Sequence, residues 1–238
     1  MSAVHKGNAF EERSLKLLEQ TMSMSLKRVG GKEDGGIDLV GWWWLPNDGD
    51  ATDPTPSTQT RRIRILGQCK AEKKKMGPGY VRELEGVLYR FMTMPSTILS
   101  HGEETESSIL GQSQIPMVAL LISESPFTKS ALLRAHSSPI PFLLLHLPRL
   151  EDHPISDADS EDSVDSPKPL GNLGAALCNP ALSGAQGLFL GQMEVRWERH
   201  MLGQHGRPAL WWRNQRLPSQ IPNMDLHETR VDASGSES

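Results

Sequence analysis

Apolar positions along the chain follow two rhythms, one helical and one alternating, and their succession predicts most of the fold. Phe10, Leu15, Leu17, Leu18 and Met22 recur at helical spacing, and Asn8 suits the N-cap of a first helix. Met24–Val29 predicts a short strand that ends at Gly30-Gly31. Asp34-Gly35-Gly36 predicts a turn, and Ile37–Trp44 a strand of β-branched and aromatic residues. Arg61–Lys70 alternates basic and apolar residues and suits the antiparallel partner of that strand, with Asn47–Thr60 a polar insertion between them. Val81, Leu84, Val87 or Leu88, and Phe91 place a helix over Tyr80–Met94. Pro116–Ser123 and Ile140–Leu147 read as buried strands, with an amphipathic helix, Phe127–Ser137, between them. The order α–β–β–β–α–β–α–β predicts an α/β (α+β) fold, a mixed sheet flanked by helices, over residues 1–150.

Composition adds boundaries to this picture. The 238 residues are 37% hydrophobic and 23% charged, enough for one core domain with an appendage. The net charge of −4 hides a segregation. Asn47–Thr60, His101–Ser108, Glu151–Asp165 and Asp225–Ser238 together carry −16, which leaves +12 on the rest. All four are rich in Ser, Thr, Asp, Gly or Pro and predict loops or disorder. The expected layout is a core over 1–150, an acidic linker over 151–169, an extension over 170–218 and a disordered tail over 219–238. Met193–Trp197, Trp211 and Trp212 make the extension apolar enough to pack on the core as a lobe of hairpin and short helices. A basic fold with acidic loops points to a polyanionic partner such as nucleic acid, although scattered surface charge gives the same sum. Two cysteines exclude a disulfide framework, and no apolar run reaches membrane-spanning length. The first twenty residues include Glu11, Glu12 and Glu19, so no clear transit peptide is read there.

Candidate chemistry lies on the two strands of the predicted hairpin. Asp38 follows a glycine turn, where backbone can approach closely. Gln68 and Lys70 are two apart on a strand and share a face, while Cys69 points to the other. If the hairpin sets Asp38 beside Gln68, a carboxylate, an amide oxygen and an ammonium converge. An Asp and a neutral oxygen can hold Mg²⁺ (or Mn²⁺), and a lysine beside the metal can orient or deprotonate a water and stabilise charge on a phosphate. Gln and Lys are also ordinary exposed-strand residues, so the spacing alone does not decide. Asp34 is a second possible acid, but an Asp before Gly-Gly also suits a turn. Arg61, Arg62, Arg64, Lys73, Lys74 and Lys75 could contact phosphates and position a DNA duplex without reading its sequence. A merely solvated basic face is the alternative. Trp42, Trp43 and Trp44 could stack on bases, or fill a core. No zinc spacing and no phosphate-binding glycine loop occurs, and Cys69 lacks a patterned His partner.

The motifs around these residues resemble a known family. Lys6-Gly-Asn-Ala-Phe-Glu11, Gly30–Leu39 (GGKEDGGIDL) and Gly67-Gln-Cys-Lys70 are similar to the G-x-x-F-E, G-x-D-G-G-I-D and Q-C-K motifs of Mrr-type restriction endonucleases. Val81–Gly86 and the Val118–Ser123, Phe127–Ala135 pair follow in the order of that family, so the likeness covers about Gly7 to Leu147. Gly35–Trp44 and Gln68–Glu72 resemble more closely the fungal mitochondrial "required for respiratory growth protein 7" family, which itself looks like PD-(D/E)xK nucleases. The resemblance implies a restriction-endonuclease-like fold, a mitochondrial address and action on DNA, duplex or branched. By position, Asp38 would bind the metal and Lys70 would be the catalytic lysine. The Cys69 carbonyl would be a further metal ligand, and Glu11 would match a first-helix glutamate that helps to place the metal. Gln68 stands where most of the superfamily has Glu or Asp and the Mrr branch has Gln; against the acid it is a loss of one negative charge. Three functions follow: a metal-dependent nuclease, a DNA-binding module without turnover, and a structural partner in a mitochondrial assembly.

Overall fold

The computed structural model describes residues 3–29, 36–46, 60–93, 115–150, 170–199 and 206–222. Asp34, the acidic stretches (apart from Thr60), the linker 151–169 and the tail from 223 lie outside the described residues.

The first eight elements follow the predicted order: α1 (Ala3–Met22), β1 (Met24–Arg28), β2 (Leu39–Pro46), β3 (Thr60–Lys70), α2 (Pro78–Thr93), β4 (Met117–Ser123), α3 (Lys129–His136) and β5 (Phe142–His146). They continue with β6 (Ala175–Cys178), α4 (Pro180–Ser183), β7 (Met193–Arg199), β8 (Gly206–Trp212) and β9 (Gln215–Arg216). One expectation at the start needs correction. α1 begins at Ala3, so Asn8 is not a cap; its side-chain oxygen accepts a hydrogen bond from Arg28 at 2.8 Å.

Six strands form one mixed sheet in the order β1-β2-β3-β4-β5-β6. β1, β2 and β3 are antiparallel neighbours, β3, β4 and β5 run parallel, and β6 closes the edge antiparallel to β5. Parallel neighbours need long crossovers, which α2 and α3 supply. Two successive right-handed crossovers in one direction set both helices on the same face. On that face Val81, Leu84, Leu88, Ala131 and Ala135 pack on Leu66, Ala119, Leu121, Phe142 and Leu144. The opposite face is covered by α1 and by the three-stranded sheet β7-β8-β9. There Phe189 joins the two sheets, lying edge-on to Trp43 at 5.4 Å and to Trp212 at 5.5 Å.

The segment read from sequence as an added lobe therefore supplies the edge strand of the main sheet as well as a second sheet beneath it. Asn179 fastens that strand. Buried completely, its carboxamide accepts from Phe142 N–H and donates to the carbonyls of Ala135 and Ile140.

β2 shows why its aromatic run folds as a strand. Leu39, Gly41, Trp43 and Leu45 are buried, while Val40, Trp42 and Trp44 are half-buried on the other side. Trp43 is thus core, and Trp42 lies under two arginines, with Arg62 and Arg64 at 4.4 and 5.0 Å from its ring centre.

Candidate functional site

The parallel strands end at one rim of the sheet, and the antiparallel β2 begins there. Open α/β sheets bind ligands outside the carboxyl ends of their parallel strands. At this rim Leu39 pairs with Gly67, and Asp38, one residue before the strand, donates its N–H to the Gly67 carbonyl at 2.9 Å. The hairpin thereby sets Asp38 beside Gln68 and Cys69.

Asp38 is half-buried and accepts the Cys69 N–H on Oδ2 at 2.7 Å. Burial holds its carboxyl above the usual carboxylate range, the Cys69 N–H opposes this, the nearby Glu11 charge adds to it, and Lys70 and Arg28 pull it back down. Glu11 thus stands close enough to be felt at Asp38. Its own carboxylate is held by Arg28 at 2.7 Å.

Gln68 is only 1% exposed. Its amide nitrogen donates to the Gly36 carbonyl at 2.9 Å, and its Oε1 is buried with no hydrogen-bond partner. Such an atom costs about 1–3 kcal/mol in desolvation, so it calls for an explanation. Gly36, at φ +85°, leaves room for the amide: a Cβ there would stand 2.7 Å from Gln68 Nε2 and 3.2 Å from Glu83 Oε1. Lys70 shares the face of Gln68, and its ammonium lies 5.7 Å from the centre of the Tyr80 ring. The Tyr80 hydroxyl donates to Glu72 at 2.7 Å.

Cys69 faces the other way, buried against α1. Burial, followed by the charges of Asp38 and Glu11, pushes its thiol far above the ordinary range, so it is no nucleophile. Its backbone is another matter. The Gly67 carbonyl and the Cys69 N–H both turn toward Asp38, so by alternation the Cys69 carbonyl faces that side too.

The basic residues divide. Arg62 and Arg64 lie on the face of Gln68 and Lys70 but near the opposite end of β3, roughly 20–26 Å from Lys70 at ~3.3 Å per residue. Arg61 alternates to the opposite face, opposite Leu45. Lys73, Lys74 and Lys75 are exposed on the turn that follows Lys70.

Among the described residues no group of three or more His, Cys, Asp or Glu stands together to hold a metal. A cation at this rim would have to draw on neutral oxygens as well as on Asp38. Gln68 Oε1 and the Cys69 carbonyl are such oxygens, and the unpaired state of the first fits a hard cation of few protein ligands. Tyr80 and Glu83 of α2 were not singled out in the sequence. Helical spacing marks them as solvent-side residues, and only the packing of α2 on the sheet brings them to the rim.

A sequence model of the "required for respiratory growth protein 7" family matches residues 2–178, from α1 to the end of the main sheet. The chain belongs to this family. Among its relatives, the Candida glabrata protein of that name, mitochondrial, is 28% identical over 77% of this chain and 75% of its own length. The Vanderwaltozyma polyspora protein is 27% identical over 51% of this chain and 64% of its own. An uncharacterized mitochondrial protein of Schizosaccharomyces pombe is 38% identical over 45% of this chain and 40% of its own. Of the length of the last two, the matched part is under two thirds. No solved structure matches the chain. These relatives carry a mitochondrial address in their names, and this member of the respiratory-growth family shares it. No helix among the described residues is long and apolar enough to cross a membrane.

Proposed function

We propose that this respiratory-growth family member is a metal-dependent nuclease of the Mrr-like PD-(D/E)xK kind, acting on DNA phosphodiesters in mitochondria. The observation that carries the reading is Gln68 Oε1: a buried, unpartnered oxygen of the residue that the hairpin register sets beside Asp38, on the same strand face as Lys70. A buried amide oxygen without a partner is one that a ligand would satisfy. Asp38, Gln68 and the Cys69 carbonyl would hold Mg²⁺ or Mn²⁺, which when bound supplies an activated water and charge for the phosphate. Lys70, lifted over the Tyr80 ring, orients that water and offsets charge on the scissile phosphate. Glu11, pinned by Arg28, adjusts the charge on Asp38. Lys73–Lys75, next to Lys70 along the chain, hold the DNA backbone, with Arg62 and Arg64 further along the same face.

The test incubates plasmid and branched DNA with Mg²⁺ or Mn²⁺, wild type beside Lys70→Ala and Asp38→Asn. Cleavage by wild type alone is expected, with DNA binding kept by all three, since binding draws on many cations and turnover on the group at the phosphorus. The neutral Gln68 favours a second reading, a DNA-binding module without turnover. If wild type and Gln68→Glu both bind DNA and leave every substrate uncut, that second reading replaces the first.

A further inference from the structure

Two of the three consecutive tryptophans of β2 are not core. Trp42 and Trp44 stand half-buried, two residues apart and so on the same face, and among the described residues neither belongs to either apolar cluster. Trp44 is fixed by its indole N–H, which donates to Ser25 Oγ at 2.7 Å. Trp42 carries Arg62 and Arg64 over its ring, 4.4 and 5.0 Å from the centre. The register sets Lys27 opposite Val40 on this same face, where it is exposed. The three strands β1, β2 and β3 contain no Asp or Glu. The face is therefore aromatic and cationic, and it leads to the rim. By alternation Asp38, Val40, Trp42 and Trp44 line one side of the chain, which puts Trp42 roughly 13 Å from Asp38 at ~3.3 Å per residue. That distance is the rise of about four stacked nucleotides at ~3.4 Å each.

We infer that this face is a platform for single-stranded nucleic acid, with bases stacking on Trp42, Trp44 and the guanidinium planes, and phosphates meeting Lys27, Arg62 and Arg64. A duplex keeps the faces of its bases inside the stack and offers a sheet only its backbone. An unpaired strand can turn a base face onto an aromatic ring. Arginine serves both needs, as a cation for phosphate and as a plane for a base. Every base has such a face, so the strand is held without sequence preference. The inference rests on the nuclease reading only for what the platform serves. Together they make the substrate a branched or tailed DNA, its unpaired arm on β2 and its junction at Asp38.

The experiment titrates the full chain, in EDTA, into labelled oligothymidylate, oligouridylate and a DNA duplex of equal length, read by fluorescence anisotropy. The first two separate DNA from RNA as the source of the strand, and binding of either supports the platform. Trp42→Ala, shown to be folded by denaturant unfolding, is expected to weaken the single strands about tenfold and the duplex less than twofold. Trp211→Ala is the control: its ring also lies under an arginine, Arg196 at 4.6 Å, but on the second sheet, across the main sheet from β2's Trp42 face, and it should change neither. A bromodeoxyuridine strand irradiated on wild type should crosslink to Trp42 or Trp44, a readout that needs no variant. A folded Trp42→Ala that holds the strand within twofold of wild type, equal losses for strand and duplex, or crosslinks confined to Lys73–Lys75 would each overturn the inference. If the strand binds as expected but Mg²⁺ brings no cleavage, the platform stands and the nuclease reading falls. If DNA is cut while Trp42→Ala keeps the strand, the reverse holds.

Discussion

Replacing Gln68 by Met should make the metal-free protein more stable while it removes the cation site. The wild-type side chain makes one hydrogen bond, from Nε2 to the Gly36 carbonyl, and buries Oε1 with nothing to bond. The bond contributes about 0.5–1.5 kcal/mol, whereas the unsatisfied oxygen costs about 1–3 kcal/mol. Gly36 lies on the surface, so its carbonyl can turn to water once the amide is gone. Met has nearly the same length, adapts its shape, and its burial is favourable beside Leu66 and Leu121. The difference is a gain of about 1 kcal/mol, which for a domain of this size raises Tm by roughly 2–4 °C.

The assay is urea unfolding in EDTA, followed by tryptophan fluorescence, with the m-value compared between variants. A rise in midpoint at constant m is the expected result. A loss of more than about 1 kcal/mol would refute the reasoning, for it would mean that Oε1 is satisfied in solution and that no oxygen stands waiting. Repeating the titration with millimolar Mn²⁺ supplies the other half. Ligand binding stabilises only the state that binds, so wild type should gain on Mn²⁺ addition and Gln68→Met should not.

Four further outcomes are expected. Gly36→Ala should cost about 1–2 kcal/mol for its positive φ and, by displacing the Gln68 amide, should weaken Mn²⁺ binding far more than it weakens the fold; calorimetry on a variant that unfolds cooperatively checks this. DNA affinity should fall with salt at a log–log slope of about −3 to −4, for about four phosphates, and should drop for Lys73–Lys75 or Arg62/Arg64 substitutions but not for Arg61→Ala, which lies on the other face. Trp212→Ala should cost about 3–5 kcal/mol, because its ring closes the stack with Phe189 and Trp43; a loss below about 1 kcal/mol in chemical denaturation would separate the second sheet from the core. Burial holds the His146 imidazole below its ordinary value, so below about pH 6.5 the unfolded chain binds a proton that the folded chain refuses; stability should fall with pH through that window, and His146→Gln should flatten the fall in pH-dependent melting.

Much of this fold was legible in the sequence because its elements obey one period each. β2 was legible as a strand from its β-branched and aromatic run, whereas which of its tryptophans faces inward was not, since the run is apolar throughout and only the burial alternates. β4 and β5 are apolar on both faces, which is what buried parallel strands require. The start of α1 was misread because Asn8 is a good capping residue by type, yet five preceding residues are helical as well. Arg61, Arg62 and Arg64 looked like one cluster in a list of charges, but the strand period sends Arg61 away from the other two. Tyr80 was illegible for a different reason. Its place beside Lys70 depends on which sheet position α2 covers, a long-range fact that no local spacing encodes. The family resemblance pointed to Asp38, Gln68 and Lys70, and the hairpin register brings the first beside the second.

What distinguishes this rim from the rest of the interior is where polar groups go unanswered. Asn179 is fully buried and spends its carboxamide on backbone groups from three segments. Glu85, also buried, is paired with Arg134 and Ser138 and ties α2 to α3. These are polar groups kept for architecture, and the surroundings satisfy them. Arg134 Nε is unpaired, although the same guanidinium holds Glu85, and so are the indole N–H groups of Trp43, Trp211 and Trp212, each on a large ring whose apolar burial outweighs the lost bond. Gln68 has no such body. Its nitrogen is used by the Gly36 carbonyl, its oxygen is buried with no partner, and the carboxyl of the neighbouring Asp38 is made reluctant to ionise by burial. Two local costs at one end of one strand mark a position where the sequence holds against folding physics. A cation would relieve both at once, by giving Oε1 a partner and Asp38 a reason to be charged.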